Sequence, residues 1–303
     1  IEADYVAVSF VRSAEDVHIT RRLLHEAGGH GGIVSKIERA EALDCIEEIV
    51  DASDVIMVAR GDLGVEIGDA ELPAAQKHLI SIARQMNCVV ITATQMMESM
   101  IQNPIPTRAE VFDVANAVLD GTDAVMLSAE SAAGQYPTKA VEAMDRVCKE
   151  AEKQSVTRQS QHRLHSVFGR IDEAIAMSTM YTANHLGVTA IAALTESGST
   201  CKWMSRISSG IPIYALTSQV ATRRKVTLFR GVYPVSFDLE PGIDSRQANI
   251  EVIEELQRRG AVRDDDLVII TKGDLNGVSG GTNVMKILRV GEHFPTDGRL
   301  NFD

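Results

Sequence analysis

Five short apolar runs, each closed by polar residues and followed by a helical pattern, constrain the fold of this chain more than any other feature. The runs are YVAVSF (5–10), GIVSKI (32–37), VIMVAR (55–60), CVVITAT (88–94) and DAVMLS (123–128). Each is rich in β-branched residues, as expected of a strand buried on both faces. Between them, SAEDVHITRRLLHEAG and LPAAQKHLISIARQMN repeat apolar residues every three or four positions, the period of an amphipathic helix. Alternating strands and helices predict a parallel sheet with right-handed crossovers.

The polar residues all fall at one end of the predicted strands: Ser9 and Arg12, Lys36 and Glu38, Arg60 and Asp62, Thr94 and Gln95, Ser128 and Glu130. In a (β/α)8 barrel that end is the active face. Five strands do not close an eight-stranded barrel, so residues 1–153 read as its C-terminal part, strands four to eight. Residues 154–170, QSVTRQSQHRLHSVFGR, are polar and aperiodic and read as a linker. From 171 to 303 alternation resumes, with helices near 171–186, 199–208, 219–229 and 245–259. The interleaved strands are TAIAAL, PIYALT, a run near 231–236, DLVIITKGD and NVMKILRV. This predicts a separate C-terminal α/β domain.

Lys and Arg number 30 against 42 Asp and Glu, a net charge of −12. That balance argues against nucleic acid or an anionic membrane as the main partner and suits a cytoplasmic protein, so any bound phosphate must be captured by a few placed groups. No apolar run approaches the roughly 20 residues of a membrane span, and no signal peptide is evident. The chain opens inside a strand without an initiator methionine, as a fragment would. The 4 cysteines (Cys45, Cys88, Cys148, Cys201) lack ligand spacing and read as buried, reduced thiols. The methionines of TQMMESM read as packing, and PTRAEV as a helix start with Pro106 and an exposed Arg108.

Lys36 and Glu38 lie two apart on one strand, so their side chains share a side. Asp62, in RGDLG, comes from the next strand end. Two carboxylates with a water-filled remainder suit a hard divalent ion such as Mg2+. Amides around Gly61 and Asp62 open a helix, where a carboxylate is favoured. In the second region, LTESGSTCKWMSR gathers the hydroxyls of Thr195, Ser197, Ser199 and Thr200 around Gly198, an anion cradle at a helix start. An ordinary capping turn explains that stretch equally well on its own.

VSKIERAEA, IMVARGDLGVEI, VVITATQMMESM, NPIPTRAEVFDVANAVLDGTDAVMLSAESAAGQYP and TESGST together resemble the pyruvate kinase family, in its bacterial form, in order and spacing along nearly the whole chain. The family's first three barrel strands and its lid domain have no counterpart here. The resemblance implies a glycolytic phosphotransferase acting on phosphoenolpyruvate and ADP/ATP. Glu38 and Asp62 are then ligands of Mg2+ or Mn2+, and Lys36 faces the phosphoryl group. Gly61, Asp62 and Thr94 contact the substrate carboxylate. Thr94 belongs to the proton relay, which Ser128 and Glu130 support. K+ enters only through ligands outside this stretch. The TESGST loop is implied to bind a sugar-phosphate effector, with Lys272 and GVSGGTN (277–283) completing the pocket. PTRAEV falls at a subunit contact of a homotetramer. Two rivals stay open: a metal-dependent lyase or aldolase of the phosphoenolpyruvate/pyruvate barrel group, and an inactive piece with a structural or regulatory role.

Overall fold

The computed structural model describes residues 3–158, 167–240, 242–273 and 280–292. The chain divides into two compact units, one carrying the first five strands together with Leu228–Arg230, the other carrying the last five.

In the first unit the order is β1 (Tyr5–Val8), α1 (Ala14–Glu26), β2 (Gly32–Ile37), α2 (Glu41–Asp44), α3 (Ile46–Ala52), β3 (Val55–Ala59), α4 (Arg60–Ile67), α5 (Leu72–Gln85) and β4 (Val89–Ala93). A short 3-10 turn (Glu98–Ile101) leads to α6 (Arg108–Asp120), β5 (Ala124–Met126), α7 (Ala129–Ala132), α8 (Pro137–Ala151) and α9 (Ser155–Arg158). The strands pair in sequence order, β1-β2-β3-β4-β5, all parallel. This is part of a barrel. β3 and β4 are buried at every position. Ile33, Ile37, Ile56 and Val58 of the sheet pack with Leu79 and Ile80 of α5 in one continuous core, each fully buried side chain contributing about 1.5–3 kcal/mol.

Four strands, β1, β3, β4 and β5, stop short of their apolar runs, the first three for local reasons. Phe10 takes a left-handed φ of 56° and turns the chain away after β1. Thr94 and Gln95 do the same after β4, at 66° and 55°. Arg60 already belongs to α4. Met96, Met97 and Met100 are fully buried against residues of α6 and α8, so the methionine cluster is core. Of the thiols, Cys88 and Cys201 are buried, but Cys45 and Cys148 are only half-buried, which corrects the expectation of four buried ones. Cys45 sits in the break between α2 and α3, where its Sγ donates to the Arg12 carbonyl at 3.1 Å. Burial, with Glu152 and Asp145 nearby, pushes the Cys148 thiol up to about 11, so it stays protonated at neutral pH.

In the second unit α10 (Ile171–Leu186) precedes β6 (Ala190–Leu194), α11 (Ser199–Ser205), β7 (Ile213–Thr217), α12 (Val220–Lys225), β8 (Val232–Ser236), α13 (Ser245–Arg258), β9 (Leu267–Gly273) and β10 (Thr282–Arg289). The sheet order is β10-β9-β6-β7-β8. Four strands run parallel, and β10 returns antiparallel along β9. From β6 the chain winds to β7 and β8 on one side, then crosses to β9 on the other. The ends of β6 and β9 therefore form a topological switch point, where open α/β sheets leave a crevice.

Helix α6 starts on a complete capping box: Glu110 N–H donates to Thr107 Oγ1 at 3.3 Å, and Thr107 N–H donates to Glu110 Oε2 at 2.7 Å. Glu110 also accepts from the Ser99 amide and hydroxyl at 2.7 and 2.6 Å, tying the helix start to the methionine segment. Burial pushes the Glu110 carboxyl up, but the hydrogen bonds from Ser99 and Thr107 outweigh it and hold the group below its ordinary value of 4.5. A folded-state pKa below the unfolded one gives stability that is complete above about pH 4.5 and lost as pH falls through the depressed value. Glu110→Gln should therefore lower the urea midpoint at pH 7 by the equivalent of about 1 kcal/mol. The difference from the parent chain should shrink below pH 4, and a constant difference across that range would contradict the assignment.

Candidate active face and anion cavity

The parallel strands of the first unit all end on one side, and the predicted polar residues gather there. Lys36, on β2, places Nζ 2.5 Å from Oε1 of Glu38, whose side chain is only 1% exposed. Both groups do lie on one side, as the two-residue spacing predicts. The second Glu38 oxygen accepts from the Phe10 amide at 2.7 Å, and Lys36 Nζ also donates to Ser9 Oγ at 3.0 Å. A buried carboxylate is tolerated only when paired and hydrogen-bonded, and here both oxygens have partners.

Asp62 lies in the first turn of α4, exposed to solvent, where the helix dipole favours an anionic side chain. Glu38 and Asp62 are hard oxygen donors, and each carboxylate oxygen keeps lone-pair capacity beyond the bonds just described. That donor set fits a divalent ion that draws its remaining ligands from water and substrate oxygens. Among the described residues, no group of three or more His, Cys, Asp or Glu side chains is close enough to form an all-protein metal cage.

Thr94 is held in a β-branched residue's least tolerated backbone region, so something must over-determine it. Its hydroxyl donates to the Ala93 carbonyl at 2.7 Å and accepts from the Gly61 amide at 2.8 Å. The Gly61 amide is thus already bonded to Thr94, whereas the sequence suggested an amide waiting for a ligand. Arg60 supplies the second hold. Its buried guanidinium donates from Nη2 to the Thr94 carbonyl at 2.7 Å and from Nη1 to Asp113 at 2.6 Å. The sequence reading noted Arg60 as a strand-end polar group but missed this clamp. Nothing in RGDLG points to a partner 53 residues away.

Glu130 is buried and accepts from the Met97 amide at 3.2 Å and the Ser128 amide at 2.7 Å. It joins the segment after β4 to the segment after β5, and Ser128 lies half-exposed beside it.

In the second unit a cavity of roughly 330 Å³ opens at the carboxyl ends of the parallel strands, lined by Thr195, Ser197, Ser199, Thr217, Asp238 and Lys272 among others. Gly198, at a left-handed φ of 79°, turns the loop into α11, and its amide donates to Thr195 Oγ1 at 2.9 Å. Ser197 and Ser199 hydroxyls bond each other at 2.8 Å. The Thr200 hydroxyl is instead buried against Thr282 Oγ1 at 2.7 Å. Lys272 Nζ donates to Ser245 Oγ at 2.6 Å and to Asn249 Oδ1 at 3.1 Å. Of GVSGGTN, residues 277–279 lie outside the described residues. Thr217 and Asp238 were not picked out in the sequence, because only the sheet order brings the ends of β7 and β8 to this crevice.

Residues 1–141 match the family model described as "Pyruvate kinase, barrel domain", and residues 173–288 match "Pyruvate kinase, alpha/beta domain". The chain is 57% identical over 294 residues to Pyruvate kinase II of Salmonella typhimurium, which covers 96% of this chain and 61% of the relative. It is 55% identical over 294 residues to Pyruvate kinase of Buchnera aphidicola subsp. Schizaphis graminum, and 52% identical over 296 residues to that of Haemophilus influenzae. The chain thus spans about 61% of the length of these relatives.

Glu130→Ala should leave the buried Met97 amide and the partly buried Ser128 amide without their acceptor, the buried loss alone worth about 1–3 kcal/mol. We expect a clearly lower thermal midpoint for the first unit, followed by circular dichroism. A midpoint within about 1 °C of the parent chain would mean that water or another group replaces the carboxylate.

Proposed function

The chain belongs to the pyruvate kinase family, and we propose that it carries the phosphoryl-transfer face of such an enzyme together with a sugar-phosphate site. In the proposed reaction, the bond between phosphorus and the enol oxygen of phosphoenolpyruvate breaks. A bond forms from phosphorus to a β-phosphate oxygen of ADP, and the enolate takes a proton on its terminal carbon, giving pyruvate and ATP.

The observation that carries this reading is the Lys36–Glu38 pair at 2.5 Å, at the same end of the parallel sheet as Asp62 after β3 and Thr94 after β4. A preorganised ammonium at that point offsets charge on the transferring phosphoryl group and on the enolate left behind. Glu38 keeps the ammonium from folding elsewhere. Glu38 and Asp62 are the residues that would hold Mg2+ or Mn2+, which when bound neutralises phosphoryl charge as a Lewis acid.

The substrate carboxylate docks at the first-turn amides of α4, at Gly61 and Asp62, and enters the existing contact between the Gly61 amide and the Thr94 hydroxyl. Thr94, already both donor and acceptor, is the residue placed to pass a proton toward the enolate. Glu130 acts as a positioning residue that fixes Ser128 through its backbone. Family membership further supports a cytoplasmic homotetramer with Arg108, exposed at the start of α6, near a subunit contact. It supports K+ as an additional cofactor held outside this chain. It also weighs against the barrel lyases, because the second family model covers an α/β domain that such enzymes do not need.

Lys36→Met keeps most of the side-chain bulk and removes the charge. In a full-length protein carrying this chain, kcat should fall by on the order of 100-fold or more, with a much smaller change in the KM for phosphoenolpyruvate. A loss confined to KM would point to ground-state binding, and unchanged kinetics would remove Lys36 from the reaction.

The hydroxyl-lined cavity of the second unit is the proposed effector site, with Lys272 as its nearest fixed cation. Thr200 is a poor place to test it, since a charge there would break the buried contact with Thr282. Ser197→Glu and Ser199→Glu are cleaner. Titration calorimetry with a hexose phosphate and with inorganic phosphate should show at least about a tenfold loss of affinity, roughly 1.4 kcal/mol, through charge repulsion. Equal affinity in both variants would rule the loop out.

A further inference from the structure

We propose that Ser9 is a positioning residue for Lys36, and that the Ser9–Phe10 turn fixes the cation and the carboxylate of the active face relative to each other. The proposal rests on the phosphoryl-transfer reading and extends it to the end of β1.

Three contacts form a closed ring across two strand ends. Lys36 Nζ meets Glu38 Oε1 at 2.5 Å, the other Glu38 oxygen accepts from the Phe10 amide at 2.7 Å, and Lys36 Nζ returns to Ser9 Oγ at 3.0 Å. The Phe10 amide reaches Glu38 while Phe10 holds a left-handed φ of 56°, a conformation that a bulky side chain adopts only under constraint. Glu38, 1% exposed, is immobilised by its surroundings, but Lys36, 26% exposed on a four-carbon stem, is not. An ammonium held by one carboxylate alone can still swing about that contact. A second acceptor fixes its direction, and two of its three donors are then committed, leaving the third for a substrate oxygen. Ser9 is the residue that supplies this second point.

Because Ser9 is itself exposed, its hydroxyl should contribute little to stability, which separates orientation from folding. In the full-length protein, Ser9→Ala should lower kcat about tenfold or more, the range for one hydrogen bond to a charged group. The KM for phosphoenolpyruvate should stay within about twofold and the thermal midpoint within about 1 °C. Ser9→Thr, which keeps the hydroxyl, should recover most of the loss. In a Lys36→Met background, Ser9→Ala should have no further effect, because its influence runs through the lysine.

A turnover-independent arm uses the 15Nζ resonance of Lys36, assigned by its disappearance in Lys36→Arg. Removing Ser9 should accelerate solvent exchange of the ammonium protons by about threefold or more, as expected when a hydrogen-bond partner is lost. Equal exchange rates in the parent and Ser9→Ala proteins would overturn the proposal whatever the turnover. So would faster exchange with an unchanged kcat. If the parent protein transfers no phosphoryl group at all, the functional reading fails, while the exchange measurement still decides whether Ser9 holds Lys36.

Discussion

A buried guanidinium governs the geometry of the candidate active face. Arg60 leaves the end of β3 and donates to the carbonyls of Ala93 and Thr94 at the end of β4, while Asp113 of α6 balances its charge at 2.6 Å. Without that hold, Thr94 would relax from a conformation that disfavours a β-branched residue by on the order of 1–2 kcal/mol. With it, the Thr94 hydroxyl stays directed at the Gly61 amide. The charge partner matters as much as the carbonyls, because an unpaired guanidinium at 6% exposure would be strongly destabilising. One side chain thus couples two strand ends and a helix on the outside of the sheet.

Both units collect polar side chains by the same rule. In parallel sheets the carboxyl ends of the strands collect the loops. In the first unit that end carries charge: Lys36 at the end of β2, Glu38 just after it and Asp62 in the first turn of α4. In the second the loops deliver mainly hydroxyls, from Thr195, Ser197, Ser199 and Thr217, around a cavity whose walls also carry Asp238 and Lys272. A charged face suits stabilisation of a transition state, where ionic groups act through their fixed orientation. A crevice lined mainly by hydroxyls, with Glu196 and Asp238 against Lys272 on its walls, offers donors that turn to bind and release at little cost.

Most of the architecture was legible in the sequence because parallel strands buried on both faces are written as continuous β-branched runs. VIMVA and VVITA are the clearest cases, buried at every position. Lys36 and Glu38 were readable as neighbours and do meet, but Glu38 lies one residue past the end of β2 rather than on the strand, so contacts after the strand, not its period, hold it on that side. What escaped were features set by contacts between distant segments. Nothing local pairs Arg60 with Asp113, Thr200 with Thr282, or Phe10 with Glu38. Left-handed backbone at Phe10, Thr94 and Gln95 was also invisible, because none of these residues prefers it and only their surroundings impose it. Cys45 and Cys148 escaped for a simpler reason: a thiol at the margin of a helix reads like one in the core.

The left-handed turns after β1 and β4 have a consequence for how such a protein changes under selection. Glycine adopts that backbone freely, so Gln95→Gly, and with more loss of packing Phe10→Gly, sits on the shortest path toward a more heat-resistant chain. Each such step would release local strain and at the same time loosen the loop that aims Thr94 or Glu38. A screen that rewards only heat resistance would then drift toward folded, poorly aligned variants. Under the proposed function, selection for turnover would keep the less stable residues, and durability and catalysis would pull the sequence in opposite directions at these few positions.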